Sequence, residues 1–291
     1  MFELKKAGFF KRASALLLDA ILLAVLSTGF MWIISLICNF DAAWKTATND
    51  TLAWESFRTT YVQSVADYYG YGYVPGDDIS DDIVTIEVDG NVQSLPVDEL
   101  IKKLQDDDSK SAEMEEAYQA YQNLTPYNIV NVRIRYSLSL LFVIISIGVL
   151  IAYLILEFIL PIILKNGQTV GKKVFSICLV RANCVKISVL SLFARTLVGK
   201  YAIETMFPIM LVLLFIFGRL GVLAVVLLAA ITLLNVILFF ATKNRLPIHD
   251  AIAGTVAVDM TIQMIFQSEE ELAEKKAQHK DFFNNSNSDK K

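Results

Sequence analysis

The chain has 291 residues, of which 55% are hydrophobic and 19% are charged, and its formal net charge is −4. This composition is too apolar for a soluble domain of that length, so it indicates a protein with several membrane-spanning helices. The 3 cysteines are too few for a disulfide framework, which excludes the small disulfide-stabilised class.

The first predicted element, residues 1–38, is a short basic cytoplasmic segment followed by a transmembrane helix. Its apolar run from Leu16 to Ile37 spans about 33 Å as an α-helix, which is enough for the hydrocarbon core. A cleaved signal peptide is the alternative, since basic residues precede the run, but the run is too long and contains Asp19. We therefore expect a retained first span with a carboxylate inside it.

Residues 39–136 form the second predicted region, an acidic extracytoplasmic domain of mixed α and β structure. Aromatic residues at helical spacing predict a helix over Trp44–Tyr69, and the alternating segment 83–95 with its Asp89-Gly90 dipeptide predicts a β-hairpin. The segment Val97–Leu124 is again predicted to be helical and is very acidic. An insert of this length usually has structure or function of its own.

An acidic cluster within this region is a candidate calcium site. Carboxylate oxygens are the ligands that Ca²⁺ prefers, but the cluster lacks the D-x-[DN]-x-[DN]-G pattern of a calcium-binding loop. A solvated acidic turn is therefore the favoured interpretation of Asp77, Asp78, Asp81 and Asp82.

The remaining apolar segments predict three further spans. Residues 137–164 form the second span, which is interrupted by Glu157. The apolar region Ile203–Ala241 is too long for one span, and it is broken at Gly218, Arg219 and Gly221. We expect a short third span over 203–218 and a fourth over 220–242, with a single re-entrant hairpin as the alternative.

The distribution of charge predicts the orientation of these spans. Residues 165–202 carry basic side chains and no acidic ones, whereas residues 39–136 are strongly acidic. Because cytoplasmic loops are enriched in Lys and Arg, the basic loop and both termini are predicted to be cytoplasmic, including the segment 243–266 and the polar tail 267–291. The acidic domain would then face outward from the membrane of a bacterial cell.

The basic loop is predicted to hold an interfacial helix and half of a small sheet. Val189–Tyr201 places its apolar residues on one face, which is typical of a helix lying in the membrane interface. Residues 172–182 and 254–260 are rich in β-branched residues and are predicted to pair as strands, bringing Asp250 toward Lys172. The tail is predicted to begin with a short charged helix and to end without order.

The predicted fold is therefore an all-α polytopic membrane protein. It has about four transmembrane helices, a cytoplasmic amphipathic helix with a small β element, and a mostly helical α+β extracytoplasmic insert. The predicted location is the cell membrane, with several passes.

No residues form a recognisable catalytic set or cofactor site, and we expect no enzymatic activity. Cys178 and Cys184 with His249 match no common zinc spacing, so inert thiols are favoured over a metal site. GQTVGKK, residues 167–173, resembles a phosphate-binding loop, but it has three residues between its glycines instead of four, and Val follows its lysines where Ser or Thr is required. Nucleotide binding is therefore disfavoured.

The blocks FFKRASALLLDAIL, NGQTVGKKVFSICLVRA and RLPIHDAIAGTVAV, taken in this order, resemble the RDD family of membrane proteins. The family is named for one arginine and two aspartates, and the resemblance implies a signature of Arg12, Asp19 and Asp250. Supporting matches are Glu157, Gly167, Gln168, Thr169, Gly171, Lys172 and Arg195. Members are usually drawn with three spans, and the resemblance implies a role in transport.

Two of the carboxylates are predicted to lie at similar depth in the membrane. Asp19 lies near the cytoplasmic end of the first span and Glu157 near that of the second, where an unpaired ionised carboxylate costs a few kcal/mol. Arg12 shares a helix face with Asp19 but lies about 10.5 Å away along the axis, so a direct pair within the helix is marginal. We expect both carboxylates to find partners among Arg12, Arg195, Lys172 or a shared proton.

Two functional interpretations follow, and the lipid bilayer is a partner in both. In the first, Asp19 and Glu157 form a proton or small-cation transport site that opens to the cytoplasm. In the second, the charges clamp the helices, and the protein is a scaffold or accessory subunit that engages partners through its extracytoplasmic domain. A structural salt-bridge network is the simplest account of the individual residues. A homo-oligomer or a membrane-complex partner fits either interpretation, and we expect no nucleic acid, metal or cofactor.

Overall fold

A computed structural model of the chain describes residues 4–74, 83–88, 90–216, 220–241 and 246–288. The chain divides into two compact units, which we call the helical unit (Met1–Ile34 with Ile144–Lys291) and the insert unit (Ser35–Val143). Several residues used in the sequence analysis lie outside the described residues: Asp77, Asp78, Asp81, Asp82, Asp89, Gly218 and Arg219.

The first helix, α1, covers Phe9–Ile37 and is long and apolar enough to cross a membrane. Only Ala15 and Ser27 are buried by the rest of the protein, whereas Leu16, Trp32 and Ile37 are 62%, 65% and 78% exposed. Large apolar side chains on so much of a helix surface are stable in contact with hydrocarbon rather than water. The predicted first span is therefore a single, mostly uncovered helix.

The insert unit combines helices with a three-stranded antiparallel sheet. Its elements are α2 (Phe40–Phe57), α3 (Gln63–Tyr68), β1 (Gly72–Val74), β2 (Ile83–Val88), β3 (Asn91–Pro96), α4 (Val97–Gln105) and α5 (Ala112–Gln122). The predicted hairpin is confirmed, with Ile86 opposite Gln93. Trp54, Phe57 and Leu100 belong to the buried core, and Trp54 Nε1 donates a hydrogen bond of 2.7 Å to the Thr125 carbonyl.

The segment Val97–Leu124 is helical as predicted, and it consists of two helices, α4 and α5. The chain turns between α4 and α5, where Ser109 N donates to Asp107 Oδ1 at 2.9 Å. The Ser111 side chain then caps α5 by accepting from Met114 N at 3.3 Å. Hydrogen bonds from Asp and Ser side chains to nearby backbone groups compete with helical backbone hydrogen bonds and favour a turn, which explains the break between the two helices.

The helical unit continues with two more helices that are long and apolar enough to cross a membrane, making three among the described residues. The second, α6, runs continuously over Tyr127–Leu164, so the predicted boundary at residue 137 falls inside it. The short helix α7 (Val170–Val174) and strand β4 (Ile177–Arg181) follow. The third long helix, α8, covers Val189–Ile216.

Helix α8 corrects the predicted division between an interfacial helix over Val189–Tyr201 and a third span over 203–218. The two are one continuous helix, and its turns over Ala194–Met206 have the wide π-helical pattern. Such wide turns are uncommon and are frequently found at functional sites. Lys200, from the predicted interfacial helix, and Glu204, from the predicted third span, both lie inside this one helix.

The last elements of the helical unit are α9 (Val222–Ala241), α10 (Ile248–Ala253), β5 (Thr255–Asp259) and α11 (Glu269–Ser288). Helix α9 contains an apolar stretch over Val222–Leu238, shorter than the three long helices, at the place of the predicted fourth span. Helix α11 continues to Ser288, so the tail is helical well beyond the short helix that was predicted.

The predicted pairing of two β-branched segments is confirmed. Strands β4 and β5 pair antiparallel, with Leu179 opposite Ala257, and both strands are almost entirely buried. The beginning of the chain joins this sheet, because Asp259 N donates to the Lys5 carbonyl at 2.9 Å and Ala7 N donates to the Ala257 carbonyl at 3.3 Å. This small sheet therefore ties three distant parts of the sequence together.

Candidate functional site

A set of buried charged side chains in the helical unit forms the candidate site, which we call the charge network. It comprises four carboxylates, four cationic side chains and one histidine: Asp19, Glu157, Glu204, Asp250, Arg12, Lys172, Arg195, Lys200 and His249. Burying a charge is unfavourable unless it is paired. With His249 neutral, the formal charges of the network balance, which makes this burial tolerable.

The turn after α6 positions the groups that bind Asp19. Three consecutive residues, Lys165, Asn166 and Gly167, have positive φ and reverse the chain. Thr169 then caps α7, its hydroxyl donates to Asp19 Oδ2, and the Gly171 amide donates to Asp19 Oδ1 at 2.8 Å. A side chain at residue 171 would collide with the α1 backbone, so glycine is required for this approach.

Lys172 lies between two carboxylates. Its Nζ is 3.9 Å from Asp19 Oδ2 and also 3.9 Å from Glu157 Oε2, and it donates to Thr169 Oγ1 at 3.2 Å. Burial, reinforced by the nearby cationic groups of Lys200 and Arg195 and opposed by Glu157, lowers the pKa of Lys172 to about 8. This ammonium can therefore lose its proton close to physiological pH.

Glu157 is contacted by three of the four cationic side chains of the charge network. It lies in a π-helical segment of α6, accepts a hydrogen bond from Lys200 Nζ at Oε1, and has Arg195 Nη1 at 3.5 Å from Oε2. The Thr196 hydroxyl donates to its backbone carbonyl at 2.9 Å. Among the described residues, Glu157 Oε2 and Arg195 Nη1 have no hydrogen-bond partner although both are buried. The Glu157 contacts at Oε2 are thus ionic rather than hydrogen-bonded.

Asp250 forms the other end of the charge network. Arg195 Nε donates to its Oδ1 at 2.8 Å, the Thr255 hydroxyl donates at 2.7 Å, and Arg12 Nη2 lies 3.9 Å from its Oδ2. Despite its burial, the charge of Arg195 and the hydrogen bonds from Arg195 and Thr255 hold the pKa of Asp250 well below its usual range. Asp250 is therefore ionised at neutral pH.

His249 joins the short helix α10 to α8. Its Nδ1 lies 2.7 Å from Glu204 Oε2, its backbone amide donates to Glu204 Oε1 at 3.1 Å, and its Nε2 is 3.7 Å from Asp250. Burial lowers the pKa of His249, although the two carboxylates act in the opposite direction. Gly199 allows this contact, since a Cβ there would lie 2.6 Å from His249 Cα.

The structure brings the signature residues into one network with Glu157, the carboxylate expected at the same membrane depth as Asp19. Lys172 contacts both Asp19 and Glu157, and Arg195 contacts Glu157. The ion pair described for Arg12 is with Asp250, on a different element from the Asp19 partner considered in the sequence analysis.

Two of the supporting matches have packing roles instead. Gln168 Nε2 donates to the Ile177 carbonyl at 2.9 Å, which fastens the turn to the small sheet. Gly167 lies against Leu179 and Ile187, where a Cβ would be 3.0 Å from Leu179 Cβ.

Sequence reasoning missed Lys200, Glu204 and Asn235 as members of the site. Lys200 and Glu204 are four residues apart in a helical segment, so they share one face with Arg195 nearby, which was the available signal. Asn235 Nδ2 on α9 donates to Glu204 Oε1 at 3.4 Å. Within the described ranges, no group of three or more His, Cys, Asp or Glu residues could hold a metal ion.

A cavity of about 710 Å³ opens against the charge network. At one end it is lined by charged and polar groups, among them Asp19, Lys172 and Lys200. The remaining wall is apolar and comes from α1 and α9, with Leu16, Leu228, Ile231, Val236 and Phe240. Polar groups gathered at one end of a mostly apolar cavity are typical of ligand sites.

Long apolar helices that enclose a compensated set of buried charges define this chain as a membrane protein. Residues 118–254, slightly less than half of the chain, match the sequence model of the RDD family. The match covers the residues from Glu157 to Asp250, while Arg12 and Asp19 precede it. No curated protein and no solved structure matches the chain.

Proposed function

We propose that this protein is a member of the RDD family and exchanges protons for a small monovalent cation across the membrane, using Asp19, Lys172 and Glu157. The observation that carries the proposal is the position of the Lys172 ammonium, 3.9 Å from a carboxylate oxygen on each side. A lysine held between two carboxylates occupies the place that a cation would take, so a proton on Lys172 and a bound cation compete.

The charge balance sets the stoichiometry of this exchange. When Lys172 is protonated, the four cationic side chains match the four carboxylates. Loss of one proton leaves a net charge of minus one in a buried site, and one monovalent cation restores the balance. Proton release and cation binding are thereby coupled one to one, because either charged state alone would be buried without compensation.

The pKa of Lys172, lowered to about 8 by burial, supports a role in proton release. An ordinary lysine with a pKa near 10.4 would stay protonated on both sides of a cell membrane. Lys172 also lines the cavity, as does Asp19, so a cation has a route to the pair from that side. Arginine cannot perform this step, because its guanidinium stays protonated.

Purified protein in liposomes that contain a pH-sensitive dye tests the proposal. A gradient of Na⁺ or K⁺ should drive proton movement in the opposite direction, faster than in protein-free liposomes. Lys172→Arg and Lys172→Met should each lose at least nine-tenths of this flux. Lys173→Met is the matched control, because Lys173 is the next residue but exposed, and it should keep the flux.

The result that would overturn the proposal is a wild-type flux no greater than the protein-free leak, or a Lys172→Arg variant that is fully active. The first result would favour the alternative function, a scaffold or accessory subunit whose charges only clamp helices. One observation favours that alternative: Asp19 and Asp250 already accept two hydrogen bonds each from the protein.

A further inference from the structure

We propose that the cavity beside the charge network binds a membrane amphiphile, with its anionic oxygen headgroup at Lys172 and Lys200 and its apolar chain along α1 and α9. This ligand site is additional to the proposed ion exchange and does not depend on it. The argument rests on the size of the cavity, the exposure of its rim and the hydrogen-bonding capacity at its polar end.

The cavity is too large and too apolar for an inorganic ion alone. A water molecule takes about 30 Å³ of liquid volume, so a space of about 710 Å³ could hold on the order of twenty waters. Leu228, Ile231 and Val236 give such water or a hydrated ion no hydrogen bonds. The volume lies within the range of sites for organic ligands, roughly 300–1,000 Å³. An occupant with an apolar body can contact this apolar wall without giving up hydrogen bonds.

The rim of the cavity faces the surroundings of the helices. Leu16 on α1 and Phe240 on α9 line the cavity and are 62% and 72% exposed, and Phe9 and Val236 are about half exposed. Helix α1 is long and apolar enough to cross a membrane, so its exposed side chains contact lipid there. An amphiphile can therefore enter between α1 and α9 from the bilayer without crossing water.

The carboxylates at the polar end already accept hydrogen bonds from the protein. Asp19 accepts from two donors of the turn after α6, and Asp250 Oδ1 also accepts from two donors. Glu204 accepts from the His249 amide and the Asn235 side chain at Oε1 and contacts the His249 ring at Oε2. A ligand headgroup that donates hydrogen bonds would compete with these protein donors for the carboxylate oxygens.

The lysines retain free donor capacity. Each ammonium has three N–H groups. Among the described residues, Lys172 Nζ makes one hydrogen bond, to Thr169, and Lys200 Nζ makes one, to Glu157. Two N–H groups on each lysine remain for oxygen acceptors, and charge-assisted bonds to a carboxylate or phosphate are about twice as strong as neutral ones. The site is therefore complementary to a headgroup that carries anionic oxygens.

Two sources supply this chemistry, a single-chain fatty acid and a two-chain anionic phospholipid. The test measures binding of radiolabelled oleate, dioleoyl phosphatidic acid, oleyl alcohol and oleylamine to the full chain in an uncharged maltoside detergent. Oleate or phosphatidic acid should bind at least ten times more tightly than the alcohol and the amine. Whichever of the two binds identifies the source.

Two variants on adjacent residues separate the cavity from the general lipid-facing surface. Thr232→Trp fills the cavity from α9, where Thr232 is exposed and lines it. Leu233→Trp adds a similar ring on a residue that is 59% exposed and does not line the cavity. The first variant should weaken binding at least tenfold, and the second should leave it within twofold of wild type.

Equal binding by the two tryptophan variants would overturn the proposal, as would equal affinity for the acid, the alcohol and the amine. Thr232→Trp leaves the charge network intact, so loss of fold is checked by its melting temperature, and Ala13→Trp on α1 provides a second filling variant with Leu17→Trp as its control. Failure of ion exchange in liposomes would leave these binding results unaffected, so the two proposals fail separately.

Discussion

Breaking the buried pair between Arg195 and Asp250 should strongly destabilise the helical unit. The Nε–Oδ1 distance is 2.8 Å, and both side chains are 2% exposed. Removing one member of a buried pair leaves an uncompensated charge, which costs about 3–5 kcal/mol. Arg195→Met should show this full loss because it also removes the 3.5 Å contact with Glu157. Asp250→Asn should lose less, about 1.5–3 kcal/mol, because its amide oxygen can still accept.

The double variant reveals the coupling between the two residues. Once Arg195 is absent, Asp250→Asn removes a charge that has become unfavourable, so the combined loss should be smaller than the sum by at least about 1.5 kcal/mol. The matched control is the cycle for Arg181 and Glu269, 3.6 Å apart with side chains 39% and 69% exposed. An exposed pair of this kind should couple by no more than about 1 kcal/mol.

Buried thiols provide the assay for this cycle. Cys178 and Cys184 are 0% and 2% exposed in the helical unit, so a thiol-reactive dye reports its unfolding in detergent. Cys38 is partly exposed and is replaced by serine in every variant to remove its background. A coupling for the buried pair no larger than that of the exposed pair would refute the reasoning, since the network would then tolerate a missing partner.

Three further outcomes are expected. Gly199→Ala should destabilise the helical unit by about 1–3 kcal/mol in the thiol assay, because a Cβ there would lie 2.6 Å from His249 Cα. Gly29→Ala is the control and should leave the stability unchanged, since a Cβ there would have no atom within 4 Å. Equal effects of the two substitutions would contradict this. Stability should fall as pH drops below about 6.5, because burial lowers the pKa of His249 and the unfolded chain then binds a proton that the folded chain does not. In His249→Gln the melting temperature should depend less on pH between about pH 5.5 and 7.5. An unchanged dependence would contradict the assignment to His249. Leu100→Ala should lower the free energy of unfolding of the insert unit by about 2–5 kcal/mol, measured by tryptophan fluorescence. Val92→Ala, at a side chain that is 65% exposed, should lower it by less than about 0.5 kcal/mol. Similar losses would show that Leu100 is not part of a packed core.

Much of the fold follows from local patterns in the sequence. The length and apolarity of α1 and α6 predicted two long helices, and the β-branched segments predicted the pairing of β4 with β5. These features depend on residues within one segment, or on two segments with the same strand preference. The same holds for the hairpin of β2 and β3.

The continuous helix α8 could not be predicted from local sequence patterns. The basic residues up to Lys200 placed the first part of this segment in the predicted cytoplasmic loop, and Glu204 fell in the separate span predicted after it. Their burial is tolerated because Lys200 pairs with Glu157 on α6 and Glu204 contacts His249 on α10. Single-segment hydropathy counts each charge as a cost, whereas the actual cost depends on partners that lie elsewhere in the chain.

Some residues of the charge network could be predicted from a single segment of the sequence, whereas others depend on distant segments. Asp19 and Glu157 were recognisable because a carboxylate within an apolar run is unusual, and Lys172 and Arg195 were expected as partners. The pairing of Arg12 with Asp250 was not predictable, because it depends on how the small sheet holds α10 against α1. Spacing along a single helix gave only the rise between Arg12 and Asp19.

The small sheet also bears on the order in which the protein is made. Its two strands come from the middle and the later part of the chain, Lys6 near the beginning bridges to β5, and the ion pair of Lys11 with Asp259 joins residues 248 positions apart. During synthesis, β4 therefore emerges with an edge that stays unpaired until β5 has been translated. A chain that ended before β5 would keep this open strand edge, and unpaired strand edges make such species prone to aggregation.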